Sequence, residues 1–105
     1  MFGHRPVPTV AAPDVPADAY ILDVREYSEW AEVHVDGSVH MPMQTVPDRV
    51  GELPHDRTVT VLCAVGGRSA QVTAWLAAQG FDAVNVDGGI YAWIDAGRPT
   101  VAGQG

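Results

Sequence analysis

Strand and helix signals alternate along this chain, and the sharpest junction between them lies near its centre. Arg57-Thr58-Val59-Thr60-Val61-Leu62 is β-branched and apolar, the pattern of a buried strand. That strand delivers Cys63, the only cysteine, to its carboxyl end. Gly66-Gly67 permits a tight, irregular loop, and Ser69 is a good N-cap for a helix to follow. In such a junction main-chain N–H groups converge on the sulfur, and the positive helix end behind them favours an anion. Cys63 is therefore expected to be a reactive thiolate that needs no neighbouring base. The competing reading is an inert core thiol, since free cysteine is often buried. The paired glycines and the strand-to-helix position weigh against it.

The rest of the chain repeats the alternation. Val7-Pro8-Thr9-Val10 reads as a short edge strand, because its proline cannot donate to a ladder. Tyr20 to Val24 reads as a more buried strand. Glu26 to Glu32 follows as a helix with an acidic first turn, placing Tyr27, Trp30, Ala31 and His34 on one face. Asp36-Gly37 turns the chain, Ser38 to Met41 is a weak strand, and Thr45 to Leu53 is a short helix with Pro47 in its first turn. After the cysteine, Ser69 to Gln79 is a helix with Val72, Trp75 and Leu76 inward and Gly80 as its stop. Ala83 to Val86 is another strand, and Gly88-Gly89 introduces a last helix with Ile90, Trp93 and Ile94 on one side. This order predicts one α/β domain over residues 7–101, with frayed ends at 1–6 and 102–105. Its sheet should be mainly parallel, with about five strands and helices on both faces. Ligands in such sheets bind outside the carboxyl ends of the strands, where Cys63 lies.

Composition narrows the function. The net charge is -7, from 13 acids against six cations, and all six are arginines. Such a chain should repel nucleic acid and anionic membranes. A lone cysteine makes no internal disulfide, and no segment reads as a signal peptide or membrane span, so a reducing cytoplasm is expected. His4, His34, His40 and His55 lack ligand spacing, which argues against a metal site. No cofactor motif is present: Gly88-Gly89 lacks the lysine and spacing of a phosphate loop.

Four separated pieces, read together, resemble a rhodanese domain of the single-domain sulfurtransferase type. They are Leu22-Asp23-Val24-Arg25-Glu26, His34-Val35-Asp36-Gly37-Ser38 with Pro42, Cys63-Ala64-Val65-Gly66-Gly67-Arg68-Ser69, and Gly88-Gly89-Ile90-Tyr91-Ala92-Trp93 with Ala96-Gly97-Arg98-Pro99. The resemblance implies that Cys63 accepts a sulfane sulfur as a persulfide and passes it to a thiol or cyanide. It makes Ala64, Val65, Gly66, Gly67, Arg68 and Ser69 the substrate-binding cradle. Family members that use thiosulfate often carry a polar or cationic side chain directly after the cysteine. Ala64 and Val65 are both apolar, which lowers the expectation of efficient thiosulfate use.

The supporting residues admit two readings each. Arg68 either faces substrate or turns outward and braces the loop through a carboxylate, the second being favoured. Asp23 and Arg25 either line the mouth, or Asp23 accepts turn amides while Arg25 pairs with an acid such as Glu29; the structural version is favoured. His34 is expected to be a satisfied, partly buried histidine, and Trp30, Trp75 and Trp93 to be core residues. Cysteine-dependent phosphatases and arsenate reductases also hold a thiolate in an amide nest, but with five residues between Cys and Arg. Here four intervene, a tighter ring suited to one sulfur atom. A non-enzymatic sulfur carrier or protein-binding module is the other alternative, docking through Ala64 and Val65 to a partner with a basic rim. The expected partners are a small sulfur donor and a thiol acceptor, with a protein acceptor compatible, acting on a monomer.

Overall fold

The computed structural model describes residues 7–103. Five strands form one sheet: β1 (Thr9–Ala11), β2 (Tyr20–Asp23), β3 (Val39–His40), β4 (Val59–Leu62) and β5 (Ala83–Asp87). Their spatial order is β1-β5-β4-β2-β3, and every pairing is parallel. β4 lies at the centre and all four of its residues are buried. That burial on both faces explains why the strand is apolar at all but Thr60 rather than alternating with exposed polar residues. β1 is an edge, and Pro8 just before it needs no N–H, because only its carbonyl is used, accepting from Asn85 N.

Strand alternation divides the core into two layers. Leu22, Val59, Val61, Cys63 and Ala83 face one side, where they meet Val46, Leu53, Val72, Leu76 and Phe81. Ile21, Leu62 and Val86 face the other and meet Ala12, Val15, Val35, Ile90 and Trp93. The first layer is covered by α2 (Val46–Arg49) and α3 (Gly67–Ala78), the second by α4 (Gly89–Asp95) and the 3₁₀ turn Ala12–Asp14. Leu76 and Ile90 are each at most 1% exposed, and a side chain so buried contributes about 1.5–3 kcal/mol. Gly80, at φ +93°, ends α3, with Phe81 N–H returning to the Leu76 carbonyl.

The segment between β2 and β3 holds α1 (Tyr27–Glu32), opened by a capping box in which Glu26 and Glu29 exchange side-chain and main-chain bonds. None of α1 is fully buried: of the expected inward face Tyr27 is 50% exposed, Trp30 and Ala31 are half-buried, and only His34, just beyond the helix, is buried. Three further expectations are corrected. The helix over 45–53 is broken into a 3₁₀ turn at Met43–Thr45, α2, and a second 3₁₀ turn at Val50–Glu52. Pro47 offers no N–H there and Gly51 weakens the following turn. Trp75 is only half buried, and Ile94 is 43% exposed. Ile90 and Trp93 fill the sheet-facing stripe of so short a helix. Arg98 then caps Trp93, its guanidinium 4.2 Å from the ring centroid, while donating to the carbonyls of Ala12 and Val15.

Residues 1–6, 104 and 105, where fraying was expected, lie outside the described residues. Ala102 and Gly103 are exposed, but the Gly103 amide donates to the Ala31 carbonyl at 2.7 Å and ties the tail to α1. Among the described residues no helix is long and apolar enough to cross a membrane.

Candidate functional site

β2 and β4 are neighbours whose chains leave in opposite directions, β2 toward β3 and β4 toward β5. The crevice outside their carboxyl ends is thus a topological switch point. Two loops meet there, joined by a bond from Val24 N–H to the Leu62 carbonyl: Asp23 to Glu26 after β2, and Cys63 to Gly66 after β4.

The Cys63 side chain is buried, yet it is surrounded by donors rather than by hydrocarbon alone. Gly66 N–H donates to Sγ at 3.1 Å and the Ser69 hydroxyl approaches it at 3.2 Å. Burial is the largest single influence and pushes the thiol up. The Ser69 hydroxyl and the amides of Ser69, Gly66 and Val65 together outweigh it and leave the thiol below its usual value. These donors favour the thiolate over the thiol.

The route to that arrangement differs from the sequence reading at Ser69. Helix α3 begins two residues earlier than expected, and its N-cap is Gly66 at φ +111°, a conformation costly for any other residue. Ser69 therefore sits inside the first turn, fully buried, and its hydroxyl is free of capping duty. It has one proton and three acceptors in reach: Cys63 Sγ, the Gly66 carbonyl and Asn85 Oδ1. Asn85 was missed from sequence. Its signal was a polar residue on a buried strand, in phase with inward-facing Ala83.

The far side of the loop is held by α4. Ile90 N–H donates to the Cys63 carbonyl at 2.8 Å and Tyr91 N–H to the Ala64 carbonyl at 3.4 Å. Gly89 makes this approach possible: a Cβ there would stand 2.3 Å from the Cys63 oxygen and 2.4 Å from the Ala64 oxygen. Gly88-Gly89 is thus a tight helix start whose tightness shapes the cysteine loop.

Arg68 turns outward, as favoured, and makes a two-pronged pair with Glu29, Nη1–Oε1 2.7 Å and Nη2–Oε2 2.9 Å. The guanidinium is the main reason the Glu29 carboxyl falls to about 2. Glu29 was expected to serve Arg25, and that expectation is corrected. Arg25 instead grips Asp23, with Nη2–Oδ2 2.7 Å, while donating to the carbonyls of Val33 and, more weakly, Glu29. Asp23 Oδ1 also accepts the Arg25 main-chain N–H. Both side chains are buried, so the pair satisfies itself and fixes the turn without lining the mouth. Ala64 and Gly66 are half-buried in the loop, while Val65 and Gly67 are exposed.

His34 and His40 take structural places. His34 is 2% exposed, stacks on Trp30 at 3.7 Å and bonds to the Trp30 carbonyl. His40 stacks on the same indole and bonds to the Arg25 carbonyl. Among the described residues no cluster of His, Cys, Asp or Glu could hold a metal ion.

The fold and site thus define a single-domain parallel α/β protein with a donor-ringed cysteine loop at its switch point. The model of the rhodanese-like domain matches residues 10–96, and the chain belongs to that family. It is 39% identical over 89 residues to a protein of Allochromatium vinosum named sulfurtransferase, covering 84% of this chain and 83% of that protein. It is 34% identical over 76 residues to the thiosulfate sulfurtransferase GlpE of Pseudomonas syringae pv. syringae, covering 71% and 72% respectively. A crystal structure of a rhodanese-related protein from Thermoplasma volcanium superposes with a TM-score of 0.85 at 32% identity, over 90% of this chain and 97% of that one.

Proposed function

We propose that the protein is a sulfurtransferase in which Cys63 carries the transferred sulfur as a persulfide. The observation that carries this reading is the ring of donors around Sγ, with Gly66 N–H at 3.1 Å and the Ser69 hydroxyl at 3.2 Å. In the loading step the Cys63 thiolate attacks the outer sulfur of a donor persulfide. A new S–S bond forms, the donor's S–S bond breaks, and its electron pair leaves on the donor thiolate. The sulfur now bonded to Sγ keeps the proton it carried. In the second step an acceptor thiolate bonds to that outer sulfur. The Sγ–S bond breaks with its pair returning to Sγ, and the acceptor departs as a persulfide with the proton. The donors around Sγ stabilise the thiolate that enters the first step and leaves the second.

The donor is a persulfide rather than thiosulfate on this reading. Thiosulfate is a dianion whose sulfonate wants a cation, and the chain contains no lysine. Each described arginine is engaged: Arg25 with Asp23, Arg49 with Glu52, Arg57 with the Asp18 carbonyl, Arg68 with Glu29, and Arg98 with the Ala12 and Val15 carbonyls. The same pairing keeps the Arg68 guanidinium from closing over a phosphoryl group, which weighs against a phosphatase.

Mass spectrometry of the reduced protein tests both parts. Incubation with a low-molecular-weight persulfide should add the mass of one sulfur atom, Cys63→Ser should abolish the addition, and thiosulfate should load far more slowly. A folded protein that takes no sulfur from either donor overturns the reading.

A further inference from the structure

Four large hydrophobic side chains are exposed among the described residues: Tyr27 (50%), Val65 (68%), Tyr91 (60%) and Ile94 (43%). They are not scattered. Tyr27 opens α1 just past the end of β2, Val65 lies in the cysteine loop past β4, and Tyr91 lies in the first turn of α4 past β5. β5, β4 and β2 are adjacent in the sheet, so all three residues follow carboxyl ends of neighbouring strands, at the edge where Cys63 lies. The Tyr91 amide itself bonds to Ala64, next to Val65. Ile94 continues from Tyr91 by one helical turn. Scattered exposed apolar residues need no explanation, whereas a set gathered around one site marks a contact surface.

Among the described residues, the exposed charged side chains next to these positions are acidic. Glu26 precedes Tyr27 and lies close enough to Arg68 to help hold its proton, Asp87 ends β5, and Asp95 follows Ile94. Glu26, Asp87 and Asp95 are exposed, and Arg68, beside the cysteine loop, is paired with Glu29. A surface of exposed tyrosines and valine ringed by acids complements a basic polypeptide, and disfavours small anions.

We infer that the rim formed by Tyr27, Val65 and Tyr91 docks a protein segment that presents a cysteine flanked by lysine or arginine, and that this cysteine receives the sulfur from Cys63. The inference rests on the sulfurtransferase reading and assigns its acceptor class. Tyr27 and Tyr91 would cover the apolar part of the segment on either side of the loop, and the acids would steer its cations during approach.

The test uses the full chain loaded with sulfur from a low-molecular-weight persulfide, in single-turnover transfer to three acceptors. These are free cysteine, a short peptide with lysines and leucines flanking one cysteine, and the same peptide with glutamates in place of the lysines. The lysine peptide should be sulfurated about tenfold faster than the glutamate peptide at low salt, and the difference should shrink as salt rises. Tyr27→Ser with Tyr91→Ser should slow transfer to the lysine peptide about fivefold or more and leave transfer to free cysteine unchanged. Equal rates for the two peptides, or a tyrosine variant that slows all three acceptors alike, overturns the docking surface. A stable dimer by sedimentation, lost in the tyrosine variant, also overturns it by assigning the rim to a second copy. Failure of the sulfurtransferase reading is separate, since the protein would then not load at all.

Discussion

Ser69→Ala tests the electrostatics of the site at a single atom. The hydroxyl lies 3.2 Å from Sγ and is one of four groups that lower the thiol, with the amides of Ser69, Gly66 and Val65. A hydrogen bond to a charged group contributes about 1.5–3 kcal/mol, and a soft sulfur acceptor at this distance belongs at the low end. A loss of about 1.4 kcal/mol reduces the thiolate fraction about tenfold wherever the thiol is mostly protonated. The less stabilised thiolate is also a better nucleophile, and a Brønsted slope of about 0.4–0.5 restores about threefold. The variant should therefore be alkylated by iodoacetamide about three- to fourfold more slowly at low pH and about threefold faster on the high-pH plateau. Because Cys63 is the sole cysteine, total alkylation reads this one group. Removing the hydroxyl also takes a partner from Asn85 at a cost of about 1–3 kcal/mol, so the assay is run well below the variant's unfolding temperature. Crossing curves are the signature. Curves that superimpose, or a variant slower by one constant factor at every pH, would refute the reasoning.

Two further perturbations separate the loop from its braces. Gly89→Ala drives a Cβ into the Cys63 and Ala64 carbonyls at a positive φ, so it should lose more than about 2 kcal/mol in denaturant unfolding and return the thiol toward ordinary reactivity. Gly97→Ala, at φ +76° with nothing within 4 Å, should cost only about 1 kcal/mol and leave the thiol untouched. Glu29 has a depressed folded-state value of about 2, so its contribution is fully present above the ordinary carboxylate range and is lost as pH falls through about 2. The pair is about a third exposed, which limits that contribution to at most about 1 kcal/mol. Unfolding midpoints of wild type and Glu29→Gln should differ slightly at neutral pH and merge in strong acid. A gap that persists unchanged at pH 2 refutes the pairing.

What the sequence revealed was set by local chemistry. The apolar run ending at Cys63, the glycines after it, and the alternation of strands with helices each reflect a backbone requirement that residue types carry openly. The five-strand parallel sheet followed from them. What stayed hidden depended on contacts across the fold. Ser69 looked like a cap because serine prefers that position, but Gly66, with its positive φ, took it and left the hydroxyl for the sulfur. Arg25 had two acids within reach in sequence, Asp23 and Glu29. Which one it took depended on where Arg68, thirty-nine residues beyond Glu29, came to rest. Asn85 announced only that something polar was buried; its partner lay on another element. The broken helix around Pro47 was a matter of length, since so few residues cannot sustain regular turns against a proline and a glycine.

The clasp of α4 on the cysteine loop has a consequence for how the molecule matures. Ile90 and Tyr91 secure the carbonyls beside the sulfur, and both follow it in the chain, as does Asn85. A nascent polypeptide halted before these residues emerge lacks the bonds that hold those two carbonyls and the partner of the Ser69 hydroxyl on β5. The final shape of the cysteine loop is thus set by residues that follow it by more than twenty positions, a long-range closure rather than a local one.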